Sequence, residues 1–212
     1  MKRSVFAIPV FAIVVVYAYV IVNMNKTKTR GLNIGHLNVC SLRNKINDLA
    51  QLMNQNQIHI MAVTETHLDN TITDGQLCIE GYSFVRKDRN GRGGGVAIYT
   101  TDMIVTNIRE DLMLPSTEVL WIQAHLAHVR PFLVAVLYRP PNSNAGYMDN
   151  LELMLDRATC EQQEIFILGD FNIDWIQNSH TSKRLKDMPE SYSMKQLVAV
   201  PTRAVNRGQT VS

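Results

Sequence analysis

Ile165-Phe166-Ile167-Leu168-Gly169-Asp170-Phe171-Asn172-Ile173-Asp174 opens on four apolar residues and closes on a glycine, an amide and two acids. The apolar part is too short for a helix and reads as a buried strand that delivers polar groups to the rim of a sheet. On extended backbone, residues two apart project to the same side, which would put the Asp170 carboxylate beside the Asn172 carboxamide. Such an acid can take a proton or hold a metal, and the amide can donate and accept hydrogen bonds next to it. Gly169 would let the backbone crowd close to whatever binds there. A strand running into an ordinary polar turn is the plainer alternative for this stretch alone.

Working outward, three more apolar runs end in the same manner. Leu32 to Val39 reads as a first strand with Asn38 near its end. Ile58 to Thr66 reads as another and delivers Glu65, and Pro131 to Arg139 as a third, presenting Tyr138 and Arg139 before Pro140 and Pro141 terminate it. Each strand finishes in a group able to touch a phosphate or a hard cation.

In chain order, six segments then resemble the endonuclease/exonuclease/phosphatase (deoxyribonuclease I-like) superfamily, and within it the apurinic-type endonuclease domain of non-LTR (LINE-type) retrotransposons. They are Leu37-Asn38-Val39-Cys40-Ser41-Leu42, Val63-Thr64-Glu65-Thr66-His67-Leu68, Gly93 to Tyr99, Leu137-Tyr138-Arg139-Pro140-Pro141, Gly169-Asp170-Phe171-Asn172, and Gln196-Leu197-Val198 with Pro201-Thr202-Arg203. Together they cover about residues 31 to 211. The resemblance implies a four-layer α/β/β/α sandwich and phosphodiester hydrolysis of DNA with Mg²⁺ or Mn²⁺. It implies Glu65 as the main metal carboxylate with Asn38 close to the metal. Asp170 would orient or deprotonate the attacking water, Asn172 would fix that water or the phosphate, and Tyr138 would bond a phosphate oxygen. Arg139 is a further candidate contact to the nucleic-acid backbone.

Charge supports a clustered rather than a general basic surface. The formal charge is +2, but five of the 21 basic residues (Lys2, Arg3, Lys26, Lys28 and Arg30) lie in the first thirty positions, which contain no acid. The remainder carries 16 basic residues against 19 acids, so the body is no nucleic-acid sponge. Arg86, Lys87, Arg89 and Arg92 lie in what reads as one glycine-rich loop, and Lys183, Arg184 and Lys186 in another. Either could track phosphates, or be a solvated turn. The cysteines at 40, 78 and 160 form no CxxC pair, and the six histidines show no zinc-type spacing.

Two units are expected: an apolar segment over 1–30 and the enzyme-like domain over 31–212, whose 46% hydrophobic composition suffices for one core. Val5 to Val22 is uninterrupted and flanked by basic residues. As a helix its length would be about 27 Å, marginal for a hydrocarbon core of about 30 Å. A transmembrane anchor is the expectation, with membrane localisation if it inserts and a nuclear or cytoplasmic location otherwise.

Periodicity predicts helices over 43–56 and 146–159 and further strands near 82–87, 95–101, 104–109 and 118–126. Two sheets packed face to face and covered by helices follow. The chain departs from the family pattern at its end. That pattern closes with a strand bearing an Asp-His dyad, and none of the six histidines here follows an aspartate. A weak or inactive nuclease, with a bare sheet edge where the last strand is missing, is therefore the expectation. A non-catalytic membrane-anchored or nucleic-acid-binding relic, or a membrane-bound lipid or inositol phosphodiesterase, are the alternatives.

Overall fold

Strands whose every residue is apolar must be covered on both faces, and three separate clusters of side chains do this. The computed structural model describes residues 31–89, 93–144, 146–173 and 179–197, together with the backbone of two strands at Phe11–Val15 (β1) and Val20–Asn23 (β2). The other strands are β3 Asn33–Asn38, β4 Ile60–Thr64, β5 Tyr82–Lys87, β6 Val96–Thr101, β7 Val105–Ile108, β8 Glu118–His125, β9 Phe132–Tyr138, β10 Glu164–Asp170 and β11 Met194–Gln196. One sheet runs β11-β1-β10-β9-β8-β7 and the other β2-β3-β4-β6-β5.

Alternation along each strand sorts the side chains into layers. Leu133, Ala135 and Leu137 of β9 and Ile165 and Ile167 of β10 face helices α2 (Gly146–Thr159) and α3 (His180–Ser191), meeting Leu151, Met154, Leu155, Leu185 and Met188. Their neighbours Val134, Val136, Phe166 and Leu168 face the second sheet and pack on Ile34, Ile60, Ala62 and Ile98. Beyond that sheet, Met61, Val63, Ala97 and Tyr99 pack on Leu49 and Met53 of helix α1 (Ile46–Gln55). The order of layers is α/β/β/α, as expected for the deoxyribonuclease I-like fold.

The apolar leader behaves differently from the expectation. β1 is inserted between β10 and β11, parallel to both, with Phe11 opposite Ile165 and Met194. β2 pairs antiparallel with β3, Val20 opposite His36. Residues 5–22 therefore contain strands of both sheets in place of a transmembrane helix, and no helix among the described residues is long and apolar enough to cross a membrane. An apolar run has no periodicity to separate strand from helix, but its valines and isoleucines favour extended backbone. β3 and β10, which end in Asn38 and Asp170, are both flanked on two sides, so neither is a bare edge.

A second difference lies at 180–191, read from its lysines and arginine as a loop. It is a helix, capped where the Ser179 hydroxyl accepts from the Ser182 amide at 3.1 Å. Only Ser182, Leu185 and Met188 are buried, a narrow stripe one turn apart, and Pro189 lies inside it. Arg184 of this helix binds Glu152 and Asp149 of α2, so it fastens two helices together.

Candidate active site

Five strands that border the space between the sheets, β3, β4, β8, β9 and β10, carry a polar residue at the same end. Along β3, Ile34 belongs to the inter-sheet cluster, and His36 and Asn38 follow on the same face. Thr64 continues the face of Ile60 and Ala62, Glu118 that of Leu120 and Ile122, Tyr138 that of Val134 and Val136, and Asp170 that of Phe166 and Leu168. The site is the polar end of one apolar layer.

Asn38 joins the two sheets. Its side-chain nitrogen donates to Glu65 Oε1 at 2.8 Å and to Asp170 Oδ2 at 3.0 Å. Tyr138 is the register partner of Asp170. Burial first, then the Glu65, Asp170 and Glu118 carboxylates, push its phenol up to about 12, with Arg89 opposing. Tyr138 is thus a proton donor throughout the neutral range. Beneath Asn38, His36 is fully buried with Nε2 3.1 Å from Thr64 Oγ1, and burial lowers it to about 3, so it is neutral.

Backbone strain gathers at this rim. Cys40, Ser41, Glu65, His67 and Asn172 all have left-handed φ, at 43°, 82°, 54°, 52° and 47°. Such residues persist where the surroundings over-determine them, most often at functional sites. Thr66 and His67 donate their amides to the Gly95 and Gly94 carbonyls at 3.2 and 3.0 Å. A Cβ on Gly95 would lie 2.4 Å from Thr66 Oγ1, which is why this loop needs glycine beside the Glu65 segment.

The residues singled out in the sequence separate into two groups. Asn38, Glu65, Asp170 and Tyr138 come together. Asn172 sits beside them, but not by strand alternation: β10 ends at Asp170, and the Asn172 amide donates to Asp170 Oδ1 at 2.9 Å in a tight Asx-type turn. Its side-chain nitrogen donates to the Arg139 carbonyl at 2.8 Å. Arg139 lies behind the site, 7% exposed, with its guanidinium directed to main-chain carbonyls. Arg86 is held by the Ile72 carbonyl and by Asp74 and Asp88, and Lys87 donates to the Thr117 and Val119 carbonyls. Both belong to β5, where the register turns them onto protein. Of that basic set Arg89 is the half-exposed one, 3.2 Å from Glu118, and Arg92 lies outside the described residues, as do Pro201 to Arg203.

Three participants were not picked out in the sequence. Cys40 Sγ lies 3.3 Å from Asn38 Oδ1 and 3.5 Å from Glu65 Oε2, with burial and then Glu65 raising its thiol. His67 Nε2 lies 3.5 Å from the same Glu65 oxygen. Glu118 accepts the Gly95 amide at 2.8 Å and fixes Arg89 near Tyr138. Its signal was available: it opens an alternating strand and pairs in register with Tyr138.

Gly169 has a role other than admitting a ligand. A Cβ there would lie 2.1 Å from the Leu137 carbonyl oxygen, so the glycine permits β10 to approach β9 one residue before Asp170. Gly169→Ala is expected to destabilise the fold by about 3 kcal/mol, the upper end for overpacking. Urea melts check this; an unchanged midpoint would refute the close approach.

Comparison with known proteins agrees with this fold. Residues 32–189 match the Endonuclease/Exonuclease/phosphatase family. The chain belongs to that family. Solved structures similar to it include the endonuclease domain of TRAS1, a telomere-specific non-LTR retrotransposon, with a TM-score of 0.58 and 12% identity over 75% of this chain and 69% of that one. The human Nocturnin catalytic domain gives 0.57 and 12% over 82% and 72%. A 3'-5' exonuclease from Neisseria meningitidis gives 0.55 and 20% over 74% and 70%. At these identities the likeness is one of fold. A search of curated proteins finds no match.

The donors present suit a hard divalent cation. Among the described residues no group of three or more His, Cys, Asp and Glu side chains could hold a metal by itself. Mg²⁺ commonly takes one or two carboxylates and keeps water for its other positions. Glu65, with Asn38 and Asp170 adjoining, supplies such a sparse oxygen set.

Proposed function

We propose that this domain hydrolyses phosphodiester bonds of DNA as a retrotransposon-type nicking endonuclease dependent on Mg²⁺ or Mn²⁺. The observation that carries this reading is the Asn38 amide bridging the Glu65 and Asp170 carboxylates at the junction of the two sheets, with Tyr138 alongside. Glu65 and Asn38 would hold the cation, which polarises the phosphoryl oxygen and stabilises charge on the leaving 3′ oxygen. Asp170, oriented by Asn38 and by the Asn172 amide, takes the proton of the attacking water. Tyr138, protonated at neutral pH, donates to a non-bridging phosphate oxygen.

Turnover by these 212 residues is expected to be slow, because no Asp-His dyad occurs among them and a positioned acid–base group typically contributes about 10² to 10⁴ in rate. Supercoiled plasmid nicking with Mg²⁺ or with EDTA, in the wild type and in Glu65→Ala, tests the assignment. Metal-dependent nicking that survives Glu65→Ala would overturn it. The lipid-phosphodiesterase alternative drew its support from an apolar membrane anchor, and the strands at Phe11–Val15 and Val20–Asn23 remove that support.

A further inference from the structure

We infer that Arg139 is a positioning residue: its buried guanidinium and its own peptide hold the Asp170–Asn172 turn in the left-handed form that aims the Asp170 carboxylate. This rests on the reading of Asp170 as the base. Two main-chain or amide bonds join Arg139 directly to the turn: the Arg139 amide donates to the Asp170 carbonyl at 2.8 Å, and Asn172 Nδ2 donates to the Arg139 carbonyl at 2.8 Å. The guanidinium adds Nη1 to the Phe171 carbonyl at 3.4 Å and to the Asn172 carbonyl at 3.3 Å, while Nη2 reaches the Ser143 carbonyl at 3.2 Å.

The setting is costly for a cation. Arg139 follows Tyr138, so alternation turns it away from the inter-sheet face. Its guanidinium carbon lies 5.7 Å from the centre of the Tyr147 ring of α2. No carboxylate among the described residues forms an ion pair with it, and its Nε has no partner there. Burying a charge without a counter-ion is strongly unfavourable unless hydrogen bonds compensate, and of the three here two go to carbonyls of the turn and one to Ser143. Asn172, a non-glycine at φ 47°, needs that outside restraint. The planar guanidinium serves the Phe171 and Asn172 carbonyls from Nη1 and the Ser143 carbonyl from Nη2 in one fixed arrangement, which an ammonium on a flexible stem does not reproduce. The bonds that Asp170 accepts from Asn172 N at Oδ1 and from Asn38 Nδ2 at Oδ2 depend on where the turn sits.

The test is Arg139→Lys in the full chain, with two readouts. Amide hydrogen exchange at Asn172 should quicken at least tenfold while Val136 and Leu168 stay within twofold. In nicking assays kcat should fall at least thirtyfold with KM for DNA within threefold. Unchanged exchange at Asn172 would overturn the proposal. So would a raised KM with a salt slope smaller by about one, which marks a lost phosphate contact. Arg139→Gln carries the same readouts should the lysine variant not fold. Failure of both to fold would assign Arg139 to core stability and overturn the proposal too. A wild type that does not nick refutes the nuclease reading alone, since exchange at Asn172 still decides the turn.

Discussion

Asp170→Asn should lower Mg²⁺-dependent nicking by about 10²- to 10⁴-fold while leaving a folded domain. The substitution keeps the shape of the side chain and removes the charge and the proton acceptor. The carboxylate now accepts on both oxygens, from the Asn172 amide and from Asn38. An amide has one acceptor oxygen, so one of these bonds must face an NH₂ group instead. The expected structural cost is about 1 to 3 kcal/mol, that of a single unsatisfied buried group. Initial nicking rates with thermal melts of the same samples separate the two effects. A variant that keeps its activity within threefold would remove Asp170 from the chemistry, and one that loses activity only by unfolding would show it in the melt.

Removal of residues 1–24 should abolish cooperative folding. β1 contributes five paired positions to β10 and three to β11, and β2 four to β3. β10 lies inside the sheet, so the deletion would leave the strand that carries Asp170 with an unpaired side. At about 1 kcal/mol per hydrogen bond, the lost ladders alone amount to something on the order of 10 kcal/mol. Domains of this size have about 5 to 15 kcal/mol in total. Circular dichroism melts of the shortened and full chains provide the measurement. The outcome is informative about the leader: shedding a membrane anchor would leave the melting transition intact and improve solubility, whereas shedding one internal and one edge strand destroys the transition. A sharp, unshifted melt in the shortened chain would refute the strand assignment.

Much of the architecture is legible in the sequence, because alternation and strand-end chemistry are local signals. β9 is apolar along its length and β10 from Ile165 to Leu168, and they end in Tyr138 and Asp170, so both their burial and their polar rims were legible. Helix α2 showed its face at Leu151, Met154, Leu155 and Ala158. What was not legible depended on partners distant in the chain. Whether Phe11–Val15 spans a membrane or completes a sheet is decided by the vacancy between β10 and β11, which no window around residue 11 contains. Arg139, Arg86 and Lys87 looked like free cations in sequence, yet each is held by main-chain carbonyls supplied by other elements. Asn172 was expected in phase with Asp170 on a strand, but the side chain of Asp170 captures the following amide and turns the chain sooner. His67 and Cys40 joined the site through left-handed backbone, a geometry that composition does not announce.

The place of β1 also bears on how the chain is made. Phe11 leaves the ribosome early, whereas its partner Ile165 emerges only after most of the domain has been synthesised. Until then an apolar, β-prone segment has no ladder to join, and such exposed segments nucleate aggregation. Long-range parallel pairing is slow to form in any case. Productive expression should therefore depend on a holdase that shelters the nascent Phe11–Val15 segment, and slower translation would lengthen the period of risk.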